Sequence, residues 1–141
     1  MVVATLIPAV KLASNKIGVQ SSKSVISKGT GNLVKLSDDA INFSVSSQKR
    51  LQHAYKHASD LGFGNWNKQN ATLWKDYISD TLKNATKTFD NKLGNDAVQG
   101  FYKVVDGNDV AVYIYKEGAN KGLVASVVKL SENQLVKFGL K

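Results

Sequence analysis

Two histidines, His53 and His57, stand four residues apart in Leu51-Gln-His-Ala-Tyr-Lys-His-Ala-Ser-Asp-Leu61, and the chain has no other imidazole. Arg50 and Lys56 flank them. Histidine is the side chain whose ordinary pKa lets it take or give a proton near neutral pH. A lysine or arginine beside it can hold a phosphate and neutralise charge developing there. Together these groups fit metal-free cleavage of RNA. A base takes the ribose 2′-hydroxyl proton, an acid protonates the leaving 5′-oxygen, and cations surround the phosphate. Proton transfer of this kind is worth about 10²- to 10⁴-fold in rate. Cations beside His57 disfavour its charged form and so favour the role of base. The same spacing also describes an ordinary solvated, lysine-rich helix face.

An α-helix must hold these groups. Ser47 is placed to cap it, and Gly62 to close it after Leu61. Leu51, Tyr55, Ala58 and Leu61 form its apolar stripe. At about 100° per residue, Arg50, His53 and His57 share one flank. His57 falls at the border of the stripe, with Lys49, His53 and Lys56 further into solvent. A second helix is expected from Asn70 or Thr72 to about Lys83, burying Leu73, Trp74, Tyr77, Ile78 and Thr81. Residues 98–105, 110–116 and 123–130 alternate in polarity and are rich in β-branched and aromatic residues, which predicts three strands. Asp106-Gly-Asn-Asp109 and Glu117 to Gly122 are the turns between them. Ser131-Glu-Asn-Gln134 is a capping box for a short final helix that Gly139 stops. The order predicts an α+β fold: N-terminal helices packed on a small twisted antiparallel sheet, with a short C-terminal helix. The strands add Lys103 and Lys129 as candidate phosphate cations, and Tyr102, Tyr113 and Tyr115 as candidate RNA contacts. Trp66 and Trp74 read as packing residues before stacking platforms.

Composition narrows the partner. The 141 residues carry a formal net charge of +8 with no cysteine, so disulfides and thiolate metal sites are excluded. The two histidines could still join carboxylates around a metal, but no His-x-Glu or Glu-x-x-His pattern is present. A basic chain favours a polyanion: nucleic acid, an acidic membrane surface or an acidic protein. Eighteen of the nineteen cations are lysine, which suits attraction to a phosphate backbone better than bidentate reading of bases. Residues 2–10 are apolar but too short to span a bilayer. Residues 8–17 keep helical spacing, and residues 18–36 are rich in Ser, Lys and Gly, as in a linker. A boundary is expected near residue 45. Asp38-Asp39 is placed for a helix start.

From Leu51 through Phe63 and on through Gly64-Asn-Trp-Asn67, the chain resembles the nuclease domains of colicin D and related contact-dependent growth-inhibition toxins. Their helix typically reads Lys-His-Ala, two residues ending in Asp, then an aromatic or leucine and Gly. Gly100-Phe-Tyr-Lys103 is similar to their Gly-Thr-Tyr-Arg turn, with Phe101 and Lys103 as departures. Val112-Tyr-Ile-Tyr115 stands where they carry paired tyrosines. Val124 to Gln134 is similar to their closing Ser-Gly-Trp-Lys strand and capped helix, with Val127 and Val128 replacing Gly-Trp. The resemblance implies a barnase/EndoU/colicin/RelE-like fold over residues 46–141. It implies a tRNA endonuclease that cuts in the anticodon loop, leaves a 2′,3′-cyclic phosphate and uses no metal or other cofactor. It places His57 as the catalytic residue, Lys56 as its cationic neighbour, and Lys103, Ser126 and Lys129 in the site. Arg50, His53, Trp66, Tyr102, Tyr113 and Tyr115 would then contact RNA.

The expected protein is a bacterial antagonistic toxin, delivered from the producing cell and acting in the target cytoplasm. Its partners would be tRNA, an immunity protein with an acidic face, and in some systems a host translation factor, without stable membrane insertion. Residues 1–45 would be the end of a cell-entry segment or linker. The rival readings are a basic RNA-binding module without chemistry, a ribosome-dependent mRNA endonuclease of the same fold, and a membrane-active peptide domain.

Overall fold

Four antiparallel strands run as a meander, β1 Lys87–Leu93, β2 Asp96–Val105, β3 Asn108–Tyr115 and β4 Val124–Lys129, in the spatial order β1-β2-β3-β4. The structure, a computed structural model, describes residues 36–141. The expected helix over residues 8–17 and all but the last residue of the expected linker lie outside them. Before the sheet come α1 Asp38–Ser44, α2 Gln48–Ala54, a 3-10 helix Tyr55–Leu61 and α3 Lys68–Lys83; α4 Glu132–Lys137 follows it.

Pairing puts Phe101, Val112 and Val127 in one cross-strand row, facing the N-terminal helices. They join Ile41, Leu51, Ala54, Ala58, Trp74, Ile78 and Leu82 in the larger core cluster. On the opposite face, Phe89, Tyr102, Ala111 and Tyr113 pack with Leu130, Leu135 and Leu140 from α4 and its flanks. The molecule is therefore α+β in three layers: helices, sheet, and one short helix. Ile41 and Val45 are core residues, so the folded unit takes in α1 and begins ahead of the expected boundary at residue 45.

The caps explain most helix limits. Ser47 Oγ accepts from the Arg50 amide at 3.2 Å, as expected. Asn67 Oδ1 accepts from the Asn70 amide at 2.7 Å, so α3 starts at Lys68, earlier than the expected Asn70 or Thr72. Ser131 and Gln134 form the expected capping box.

Two elements depart from expectation. The helix from Ser47 does not stay α-helical to Leu61. At Tyr55 it tightens to 3-10, where residues repeat every three rather than 3.6 positions. Burial follows the new period: Ala58 is buried and Tyr55 and Leu61 half-buried, while Lys56 and Ser59 are exposed. An aromatic cluster fixes this turn. Tyr55 meets Phe63, Trp66 and Trp74 edge-on at 5.9, 5.0 and 5.2 Å between ring centres. Its hydroxyl donates to the Gly64 carbonyl at 2.8 Å. The second departure is β1, an unexpected strand. Its Lys-Thr-Phe-Asp-Asn-Lys-Leu sequence is mostly polar because it is an edge strand, burying only Thr88 and Phe89. The two-residue turn Gly94-Asn95, between paired Leu93 and Asp96, joins it to β2. The β2–β3 turn is also two residues, Asp106-Gly107, both with positive φ (51° and 81°), so β2 ends at Val105 as expected while β3 starts at Asn108, two residues early.

Candidate functional site

Leu51 and Ala54 anchor α2 in the helix-side core, and Ala58 anchors the 3-10 helix. Their other faces carry Lys49, Arg50, His53, Lys56 and His57. His57 is half-buried, and His53, Lys49 and Lys56 are exposed, in the order expected. The angular relation changed, however. Each step within the 3-10 helix advances about 120° instead of 100°, which turns His57 away from the flank of Arg50 and His53. Burial lowers the His53 pKa from its ordinary 6.5, and the nearby Arg50 and Lys56 charges lower it further.

Arg50 is held from the sheet. Its Nη1 donates to the hydroxyl of Tyr115, the last residue of β3, at 3.1 Å in a partly buried contact. Among the described residues, Lys49, Arg50 and Lys56 form no ion pair. Lys49 and Arg50 also occupy the first turn of α2, which carries no acid. A cation there opposes the helix dipole, at about 0.3–1 kcal/mol each for exposed groups.

The sheet sorts the other expected residues. Lys103 and Lys129 both pair with Val110, so the three form one row on the helix side. Two strand spacings set the lysine backbones about 10 Å apart. Lys103 is already engaged, with Nζ 3.1 Å from Asp80 Oδ2. Lys129 is exposed.

Ser126, Tyr102 and Tyr113 point to the opposite face, so the sheet stands between them and His57. Ser126 pairs with Tyr113 and is 7% exposed. It is not open to a substrate held at His57, which corrects its expected place in the site. Tyr113 is 2% exposed, its hydroxyl accepts from Asn91 Nδ2 at 3.2 Å, and burial raises its pKa. It is a core residue and offers no face for a base. Tyr102 donates its hydroxyl to Asp109 Oδ1 at 2.6 Å; burial and that carboxylate push its pKa up to about 12. It is likewise committed to the fold. Trp66 packs edge-on against Tyr55 as a half-buried wall of the aromatic cluster. Trp74 is fully buried, with its indole N–H donating to the Leu51 carbonyl at 3.1 Å.

The structure therefore assembles Arg50, His53, Lys56 and Tyr115, places His57 beside them on the next turn, and puts Lys103 and Lys129 on the same side of the sheet. An open cleft between α1 and α3, lined by Asp38, Ile41, Asn42, Ser79, Asp80 and Lys83, is a separate feature, and its two carboxylates disfavour an anion. Sequence reasoning missed two contacts here, the Asp80 partner of Lys103 and the Tyr115 partner of Arg50. Neither pair is close in sequence. The one available signal was that Arg50 is the only arginine. Among the described residues, no helix is long and apolar enough to cross a membrane. No family model, curated protein or solved structure matches the chain.

Proposed function

We propose that this protein is a bacterial antagonistic toxin whose domain cleaves tRNA in the anticodon loop without a metal, on a barnase/EndoU/colicin/RelE-like fold. The reading rests on one observation above the others. A half-buried imidazole, His57, follows Lys56 in the chain on the turn after Arg50, and neither cation has a carboxylate partner among the described residues. His57 takes the 2′-hydroxyl proton, and attack on the adjacent phosphorus expels the 5′-oxygen, which takes a proton from solvent water, leaving a 2′,3′-cyclic phosphate and a 5′-hydroxyl. Lys56 stabilises charge on that phosphate, Arg50 holds the RNA backbone beside it, and Lys129 and Lys103 are outlying contacts to the RNA backbone. Lys103 would exchange Asp80 for phosphate at the cost of an exposed ion pair, a small loss. The toxin would be delivered from the producing cell, act in the target cytoplasm, and be neutralised by an immunity protein with an acidic face.

A His57→Ala protein tests the assignment. It should lose at least about 10²-fold in tRNA cleavage, the usual worth of a general base, and keep its melting temperature. Cleavage at the wild-type rate would remove His57 from the mechanism. A second reading, a basic RNA-binding module without chemistry, is favoured by the burial of Ser126 and the pairing of Lys103, which leave fewer groups around His57. It predicts salt-sensitive binding with no shortening of the RNA.

A further inference from the structure

Arg50 differs from every other cation of the chain. It alone carries a planar fork of five donors, suited to bidentate grip on a phosphate. One of those donors is fixed: Nη1 points at the Tyr115 hydroxyl, in a contact that ties α2 to the end of β3. The side chain is half-buried, and no carboxylate lies within ion-pair distance of it among the described residues. A partly desolvated guanidinium is ordinarily paired, because removing it from water without a counter-charge is unfavourable. The local sequence does nothing to relieve this. The first turn of α2 holds Lys49 and no acid, and His53 follows one turn on. Tyr115 accepts from Arg50, so its own O–H remains free to donate. The Arg50 fork, the Tyr115 O–H and the His53 ring thus form a set of donors with no acceptor opposite them.

We propose that Arg50, Tyr115 and His53 form an anion subsite that takes one phosphodiester of a bound RNA, with Tyr115 as the positioning residue for the guanidinium. The identification of the anion as RNA rests on the function proposed above; the anion site itself does not. The subsite holds a phosphate neighbouring the one at His57, so that the chain is gripped on one turn of the helix and cut on the next. Burial is the larger cause of the lowered His53 pKa, and the Arg50 and Lys56 charges add to it, which places both cations near the ring. Tyr115 is then an aligning group and not a stacking platform.

The single arginine makes the test direct. In the full-length protein, its Nε–H gives one NMR signal of its kind, free of lysine signals. Inorganic phosphate should shift that signal saturably, against a titration with sodium chloride at matched ionic strength. Tyr115→Phe removes only the hydroxyl and should weaken phosphate binding about threefold to tenfold, the worth of one ordinary hydrogen bond, with the fold retained by circular dichroism. Tyr115→His, which restores a ring hydrogen-bonding atom, should recover part of the loss. An Arg50 signal that follows ionic strength alone, or equal phosphate affinity in wild type and Tyr115→Phe, would overturn the proposal. RNA cleavage is read separately on the same proteins. Phosphate binding without any RNA cleavage or RNA binding would leave the anion site standing and remove its RNA assignment. His57-dependent cleavage with no phosphate effect at Arg50 would do the reverse.

Discussion

At the scale of single residues, neighbours rather than residue type decide which groups are available. Tyr113 and Tyr115 are two positions apart on one strand. Tyr113 is sealed under α4 with its hydroxyl held by Asn91, while Tyr115 holds Arg50. His53 and His57 were expected on one flank, His57 as the base and His53 as an RNA contact; in the structure burial and the nearby Arg50 and Lys56 lower the His53 pKa, and His57 is half-buried. The His53 shift has a consequence for stability. Its folded pKa lies below the ordinary 6.5, so the unfolded chain binds the proton more readily. Stability should therefore be full above the unfolded value and fall as pH drops through it towards the folded pKa. Thermal melts at pH 7 and pH 5 should show a smaller decline for His53→Gln than for wild type. An equal decline in both proteins would place the sensitivity elsewhere. Gly100 is a second residue-level test. A Cβ there would lie 2.4 to 2.8 Å from the Phe89 ring atoms that rest on it. Gly100→Ala should destabilise the fold by about 1–3 kcal/mol, the range for an overpacked core, seen as a lower denaturant midpoint.

At the scale of elements, the sequence shows best what local signals carry. The caps at Ser47 and Ser131, the stop at Gly139 and the three apolar strands were all readable, because each depends on residues within a few positions. The edge strand β1 was not, because only Thr88 and Phe89 of it are buried and its Gly-Asn turn was the only cue. The change from α to 3-10 at Tyr55 was also hidden. Apolar residues at Tyr55, Ala58 and Leu61 suit either helix, and the choice is made by Phe63, Trp66 and Trp74 closing on Tyr55. Part of the candidate site was legible for the same reason: Arg50, His53, Lys56 and His57 are sequence neighbours. Its links to the sheet span 65 residues for Arg50–Tyr115 and 23 for Asp80–Lys103, and leave no periodic trace. The caps give this scale its prediction. Ser47→Ala removes the acceptor for the Arg50 amide and should cost about 1 kcal/mol. It should also loosen α2 enough to weaken RNA binding, measured by denaturant unfolding and filter binding on one preparation.

At the scale of the whole molecule, charge is unevenly placed. Of nineteen cations, five lie in residues 1–35, which hold no acid, and fourteen lie in residues 36–141 with all eleven acids. The folded layers are only mildly basic, so a polyanion must be drawn to a local concentration of positive charge, and α2 with its following turn supplies one. RNA affinity should fall linearly in log–log form with salt, and each lost phosphate contact should flatten the single-strand slope by about 0.7. Lys56→Ala and Arg50→Ala should each do so, whereas Lys116→Ala should not, since its Nζ is already paired with Asp90 Oδ1 at 3.0 Å. Equal slopes in all four proteins would mean that the attraction is diffuse.

The central claim is that His57 makes this a metal-free tRNA endonuclease. The most direct measurement is to incubate the purified protein with total bacterial RNA in EDTA, beside His57→Ala, and to resolve the products and their end groups on a denaturing gel. The account predicts discrete tRNA halves ending in 2′,3′-cyclic phosphate with the wild type and intact RNA with His57→Ala. Intact RNA in both lanes, or the same halves from both proteins, would contradict it.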